Sequence, residues 1–153
     1  VFGGYSLDNA ALIKQVGHDS ARKLYQLTLD AVQLIRHRVD RYAIECDLNS
    51  NGVLLTNWFD DAPGLARQAE LMQREFGVAW EAWSCEKTRE RFRSARYFGA
   101  LHEKNAFHFH PLKYAQGEAR VLAENGVRSF TNTRATAIEA HAPEKTVRTR
   151  LGS

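Results

Sequence analysis

The sequence predicts an α+β fold, with helices first and an antiparallel or mixed sheet, ending in a β-hairpin, in the later part of the chain. Residues 20–42 repeat apolar side chains every three or four positions, which is the period of an amphipathic helix. Short apolar runs bounded by turn residues follow, and the last segment alternates on both sides of a turn at 141–144. Because no repeat, low-complexity tract or linker interrupts the 153 residues, we expect a single domain over residues 1–153.

The most regular predicted element is one long amphipathic helix. Asp19 or Ser20 can serve as its N-cap, and the pattern ends near Tyr42. The apolar positions that mark this helix, at steps of three and four residues, are Leu24, Leu27, Ala31, Leu34, Ile35 and Val39.

Capping and breaking residues indicate four further helices. The first is capped by Ser6 or Asp8 and stops at Gly17. The others run from Asp61 to Phe76, where Gly77 stops the helix, from Ser84 to about Phe92, and from Pro111 to the pair Asn125-Gly126.

The predicted strands are short. Apolar and β-branched composition indicates strands at residues 52–58, 80–83, 97–103, 106–110 and 127–130. Residues 134–140 face residues 146–151 across the turn at 141–144, which is typical of a β-hairpin.

Composition excludes several classes of protein. With 44% hydrophobic and 25% charged residues, the chain is an ordinary globular one, without a run of about 20 apolar residues or a secretory signal. We therefore expect a cytoplasmic protein that does not enter the membrane. The net charge of +3 is spread among acidic residues, which disfavours nucleic acid as a partner. Cys46 and Cys85 form no CxxC pair and are expected to be free thiols.

The segment FHFHP carries the candidate site. In a strand, His108 and His110 lie on the same face, so both rings can line one pocket as general bases or hydrogen-bond partners of a substrate. A metal site needs a third ligand, and no HExxH or His-to-Cys spacing supplies one, so we predict no metal. The alternative, that both histidines satisfy backbone groups or face solvent, stays open.

Nucleotide-binding motifs are absent from these 153 residues. The ten glycines form neither GxGxxG nor GxxxxGK[ST], the loops whose backbone holds phosphates at a helix N-terminus. A GxSxG nucleophile elbow is absent as well. The residues alone therefore indicate a mixed α/β domain with a histidine-lined pocket and no motif for gripping a nucleotide.

Longer stretches of the sequence resemble a known family. VFGGYSLDNAALIKQVG, RYFGAL and above all FHFHPLKYAQGEARVLAENGVRSFTNTRATAIE are similar to the middle part of FAD-dependent oxidoreductases of the D-amino-acid-oxidase-like family, within it to the γ-glutamylputrescine oxidase type. The resemblance runs through nearly the whole chain. It implies the substrate-side middle of an enzyme whose N-terminal GxGxxG segment and C-terminal FAD-contacting segment lie outside these residues.

The resemblance also implies a reaction. The intact enzyme would use FAD to oxidise the C–N bond of a small-molecule amine or amino acid, by hydride transfer to flavin N5 and hydrolysis of the imine. We expect the isolated chain to be inactive, to bind FAD weakly or not at all, and to self-associate through surfaces that an FAD domain would cover. The alternative is a non-catalytic remnant or binding module without cofactor.

Site residues follow from the resemblance. Gly3, Gly4 and Tyr5 would continue the flavin-contacting loop, with an ordinary turn as the alternative. Ala135 stands where the family usually has a valine whose backbone meets the adenine edge.

The substrate side is implied by the same resemblance. His108 and His110, with Tyr97 and Tyr5 behind them, would orient the amine and favour its unprotonated form.

Overall fold

The computed structural model describes residues 1–140, 145–150 and 152, which form two compact units, residues 1–117 and 118–153. Each unit is described by itself. In the described part of the chain, five helices and two small antiparallel sheets confirm the α+β class. No helix in this part is long and apolar enough to cross a membrane.

The helices follow the predicted caps closely. They are α1 (Asn9–Val16), α2 (His18–Arg41), α3 (Ala62–Phe76), α4 (Cys85–Phe92) and α5 (Pro111–Glu124). Asp8 caps α1 by accepting from the amides of Ala10 and Ala11, and Ser84 caps α4 by accepting from Lys87. At the other end of α3, Gly77 adopts the left-handed conformation that favours glycine.

The predicted N-cap of the long helix is wrong. Gly17, with φ of 80°, ends α1 and also precedes α2, so Asp19 and Ser20 lie inside the first turn of α2. One glycine serves both helices because only a residue without Cβ turns the chain this sharply at low cost.

The first unit contains a three-stranded antiparallel sheet in the order β1-β3-β2. Its strands are β1 (Val53–Thr56), β2 (Glu81–Trp83) and β3 (Ala100–Glu103). Leu55 and Leu101 are register partners and pack on the core beneath α2 and α3. The buried members of this core are Tyr25, Leu65, Met72, Val78, Trp80 and Leu101.

Two predicted strands are not strands in the structure. Residues 106–110 form only an isolated β-bridge, between His108 and Asn49. A single bridge is too short to make a strand. Residues 127–130 have no regular structure. The C-terminal cap of α5 extends to the first of them, because the Val127 amide donates to the Leu122 carbonyl and Gly126 has φ of 78°.

The second unit confirms the predicted hairpin ladder. Strands β4 (Ala135–Glu139) and β5 (Thr146–Thr149) pair antiparallel, with a register shift between Ala135 and Ala137. The turn at 141–144 and the predicted strand end at Leu151 lie outside the described residues.

A charge cluster joins α2 to α3 in the first unit. Glu75 is buried and accepts from Arg74 Nε at 2.8 Å and His18 Nδ1 at 2.7 Å, while Arg22 Nη2 lies 3.4 Å away. The hydrogen bonds from Arg74 and His18 lower the pKa of Glu75 to about 2. The charged carboxylate therefore stabilises the folded chain.

We expect Glu75→Gln to lower the melting temperature at neutral pH by a few degrees. Because the pKa of Glu75 is lower in the folded chain than its ordinary value of 4.5, its contribution is present above that value and is lost as pH falls toward 2. Thermal unfolding of both proteins should therefore show a difference that narrows over this range. Glu70→Gln, at an exposed position of the same helix, is the control. A difference that does not change with pH would contradict this role of the charge.

Candidate functional site

The candidate site begins where the N-terminal segment meets the HFH segment. The Phe107 amide donates to the Val1 carbonyl at 3.0 Å, and the Val1 ammonium donates to the Phe107 carbonyl. On the other side, His108 exchanges both backbone hydrogen bonds with Asn49, at 3.0 and 2.8 Å. The segment 107–108 is thus held from both sides, and one of its partners, Val1, lies two residues before the predicted cofactor segment at residues 3–5.

Arg36 of α2 fixes this arrangement. Its guanidinium donates to Ser50 Oγ at 2.7 Å and to the Asn105 carbonyl at 3.2 Å. Its Cζ atom also lies 4.5 Å from the centroid of the Phe107 ring, which is a cation–π contact. One side chain therefore ties the long helix to the turn after residue 49 and to the segment that precedes His108.

The two histidines differ in what they do. Both side chains are exposed rather than half-buried. The His110 ring accepts from the Lys113 amide at 3.5 Å, which is the pattern of an N-cap for α5, and its own amide donates to the Cys46 carbonyl at 2.7 Å. His108 is held through its backbone, by its hydrogen bonds with Asn49.

Charge near His110 comes from the pair Asp47 and Lys113. Lys113 Nζ lies 2.7 Å from Asp47 Oδ2, and this hydrogen bond lowers the pKa of the Asp47 carboxyl. No group of three or more His, Cys, Asp or Glu side chains in the described ranges could hold a metal ion.

The predicted cofactor segment lies along α2. Gly3 is buried, and a Cβ atom there would come 2.7 Å from Leu29 Cδ2, so close packing on the helix by itself explains this glycine. Gly4 has φ of 124° and donates its amide to Thr28 Oγ1 at 2.8 Å. Tyr5 is exposed and donates its hydroxyl to the Leu24 carbonyl at 3.1 Å.

A shallow groove follows this segment. It has a volume of about 360 Å³ and a mostly apolar lining, whose members include Phe2, Gly4, Tyr5, Leu27, Val32 and Ile35. A planar apolar group would fit such a lining, since the hydrogen bonds of Gly4 and Tyr5 are directed to α2.

Tyr97 lies at the opposite end of the sheet from the histidines. Its ring contacts Trp58 at 5.8 Å and Phe92 at 5.1 Å between centroids. The neighbouring Phe98 amide donates to Asn57, which follows β1, whereas His108 pairs with Asn49, which precedes β1. The structure therefore does not bring Tyr97 together with His108 and His110.

Ala135 belongs to the second unit, where it is exposed at the start of β4 opposite Thr149 and next to the register shift. Ile138 on the same strand is 68% exposed. The surface of the ribbon is thus open, and it carries polar side chains as well, among them the ion pair of Arg148 with Glu139.

Sequence reasoning missed Arg36. Its partners lie 14 and 69 residues along the chain, so no local pattern signals them. It also missed the contact of Tyr97 with Trp58, for which the adjacent aromatic residues Trp58 and Phe59 were the one feature visible in the sequence.

Comparison with known proteins now identifies the family. The family of FAD-dependent oxidoreductases designated DAO matches residues 1–153. The chain belongs to the DAO family. The γ-glutamylputrescine oxidoreductase of Escherichia coli K12 is 32% identical over 148 residues, which are 97% of this chain and 34% of that protein. OrdL of Haemophilus influenzae is 31% identical over 119 residues, which are 77% of this chain and 28% of that protein.

Solved structures show the same fold. The glycine oxidase of Geobacillus kaustophilus superposes with a TM-score of 0.71 at 18% identity, over 84% of this DAO-family chain and 36% of that enzyme. An L-proline dehydrogenase from P. horikoshii gives a TM-score of 0.62 at 17% identity, over 80% of this chain and 33% of that one. The 153 residues thus span about a third of the length of these relatives.

We expect Arg36→Met to lower the free energy of unfolding by about 1–2 kcal/mol, because it removes two partly exposed hydrogen bonds of a charged group and the contact with Phe107. Urea unfolding measures this change. Amide hydrogen exchange should also become faster at Phe107 and His108 than elsewhere in the first unit. Lys23→Met, at an exposed position of the same helix, is the control. Uniform exchange across the first unit would show that Arg36 does not hold this segment.

Proposed function

We propose that these residues are part of a FAD-dependent oxidoreductase that oxidises the C–N bond of an amine or amino acid. The observation that carries the proposal is the match of the DAO family over all 153 residues. The names of the relatives, γ-glutamylputrescine oxidoreductase, glycine oxidase and L-proline dehydrogenase, support an amine or amino acid as the substrate. The chemistry that bound FAD supplies is acceptance of a hydride from the carbon that carries the nitrogen.

The cofactor contacts that we propose come from two places. Gly4 and Tyr5 line the apolar groove beside α2. Together with Gly3 they would lie against the flavin end, where Gly4 admits a close approach. Ala135 would offer its backbone to the adenine edge, with less apolar cover than a valine gives. We propose that residues 1–153 belong to a single domain of that enzyme.

His108 is the side chain that we propose for orienting the substrate. Its side chain is exposed to solvent. The backbone of its segment is hydrogen-bonded on one side to Val1 and on the other to Asn49, which holds the segment in place. A neutral imidazole can accept a proton from the amine nitrogen, which keeps the lone pair available for the oxidation. His110, which caps α5, would shape the same surface.

Tyr97 takes a different part in this proposal. Because it lies at the other end of the sheet, it would contact a different portion of a bound molecule from the portion that meets His108. We further propose that the 153 residues alone turn over no substrate. The cytoplasmic location expected from the sequence stays a prediction.

FAD added to the 153-residue chain should bind weakly or not at all, because the chain has no GxGxxG or P-loop motif to hold the phosphates. Gel filtration after mixing, with a known flavoprotein run in parallel, measures this directly. We expect the yellow colour to separate from the chain. A stoichiometric yellow complex that survives the column would contradict the argument from the missing motif.

In a flavin-loaded protein that contains this sequence, His108→Ala should lower kcat/KM for the amine by about a hundredfold, as expected for the loss of a general base. The pH profile of kcat/KM should also lose its acidic limb. His37→Ala, at an exposed position of α2, is the matched control. Oxygen consumption with γ-glutamylputrescine, glycine and proline tests activity and the substrate class together. Equal activity of the two variants would remove His108 from the mechanism, and inactivity of the unchanged protein with all amines tested would favour a binding module instead.

A further inference from the structure

Thr28 of α2 connects the predicted cofactor segment to the helix through one hydroxyl group. Its Oγ1 atom accepts a hydrogen bond from the Gly4 amide at 2.8 Å and donates one to the Tyr25 carbonyl at 2.6 Å. Because a carbonyl can only accept, the hydroxyl proton lies on the Tyr25 side and a lone pair of the oxygen is directed to Gly4. Both hydrogen bonds therefore have a fixed direction, and one side chain holds them.

The Tyr25 end of this connection is anchored in the core. Tyr25 is 1% exposed and belongs to the buried cluster of the first unit, and its carbonyl lies within α2. Thr28 is half-buried, and its Oγ1 atom would lie 3.2 Å from a Cβ atom on Gly3. The hydroxyl thus lies where the backbone of Gly3 and Gly4 packs on the helix.

The conformation of Gly4 gives this hydrogen bond its importance. Its φ of 124° lies in a region that glycine adopts readily, and a glycine loses more backbone freedom on folding than any other residue. The hydrogen bond from its amide to Thr28 selects one orientation of the peptide group between Gly3 and Gly4. This amide therefore points to α2 and is not available to a ligand.

Thr28 and Gly4 also line the same groove. Both belong to the lining of the apolar groove of about 360 Å³ beside α2, together with Tyr5 and Leu27. The shape of the groove at this wall depends on how closely the segment packs on the helix. A planar group in the groove would therefore meet Gly4 at a position that depends on the Thr28 hydroxyl.

We propose that Thr28 is a positioning residue for the flavin and acts on it through Gly4. The inference rests on the proposed function, because that function assigns Gly3, Gly4 and Tyr5 to the flavin end. The side chain holds the Gly4 peptide in one orientation before the cofactor binds, which reduces the conformational entropy lost on binding. A residue that only stabilised the fold would not alter the surroundings of the flavin.

Thr28→Val and Thr28→Ser separate the hydroxyl from the rest of the side chain. Valine keeps the branched shape and removes both hydrogen bonds, whereas serine keeps the hydroxyl. In the 153-residue chain without flavin, amide exchange at Gly4 should become about three- to tenfold faster in Thr28→Val and stay unchanged in Thr28→Ser. Equal exchange at Gly4 in Thr28→Val and in the unchanged chain would overturn the proposal at its first step.

A flavin-loaded protein that contains this sequence tests the effect on the cofactor. Thr28→Val should raise the Kd for FAD by about three- to tenfold and shift the visible absorption bands and the reduction potential of the flavin. Thr28→Ser should restore all three values. Thr88→Val is the matched control, because the buried Thr88 hydroxyl also donates to a carbonyl one turn earlier, that of Ser84 at 2.8 Å. It should leave all three values unchanged, and far-UV circular dichroism verifies that each variant folds.

The outcomes separate this role of Thr28 from the proposed function. If Thr28→Val speeds exchange at Gly4 but leaves the flavin spectrum, potential and Kd unchanged, the proposal is overturned while the proposed function stands. It is also overturned if Thr88→Val changes the flavin as much as Thr28→Val does. If a protein that contains this sequence binds no flavin at all, the proposed function itself fails, and this role fails with it.

Discussion

The packing of the first unit depends on the buried side chain of Tyr25. Its ring is almost fully buried, lies 4.6 Å from the ring of Phe76, and belongs to the same cluster as Met72 and Leu101. One side chain thus connects the long helix, the third helix and the central strand. Burial, followed by the nearby charge of Glu103, raises the pKa of Tyr25 to about 12, so the phenol stays neutral.

The same tyrosine supports the candidate cofactor segment. A Cβ atom on Gly3 would come 3.4 Å from the Tyr25 hydroxyl and 2.7 Å from Leu29. The backbone of residues 3–4 can therefore pack this closely against α2 only because Gly3 has no side chain. Val1 then forms a backbone hydrogen bond with Phe107, and His108 forms two with Asn49. The position of His108 therefore follows, through a chain of backbone contacts, from how α2 packs on the sheet.

Local features of the fold could be read from the sequence, and contacts between distant segments could not. The caps Asp8, Asp61 and Ser84 were predictable because a cap and the amide that it accepts from are two or three residues apart. The contact between Tyr97 and Trp58, and the contact between Arg36 and Asn105, depend on tertiary packing, which periodicity does not encode. The strand predicted at residues 106–110 fails for a related reason. Its composition favours a strand, but only Asn49 and His108 form a β-bridge, and the further backbone hydrogen bonds to Cys46 and Gly52 do not extend it into a ladder.

The second unit shows the limit of what these residues can stabilise by themselves. Every residue of β4 is exposed, and Ile138 and Val147 face water on a ribbon of only two strands. A two-stranded ribbon is at best marginally stable in water unless a further strand or a packed surface covers one face. The chain spans about a third of the length of its relatives, and we propose that Ala135 on this ribbon meets the adenine edge. A cofactor contact at Ala135, as proposed, would cover part of the surface that the side chains of the ribbon leave open to water.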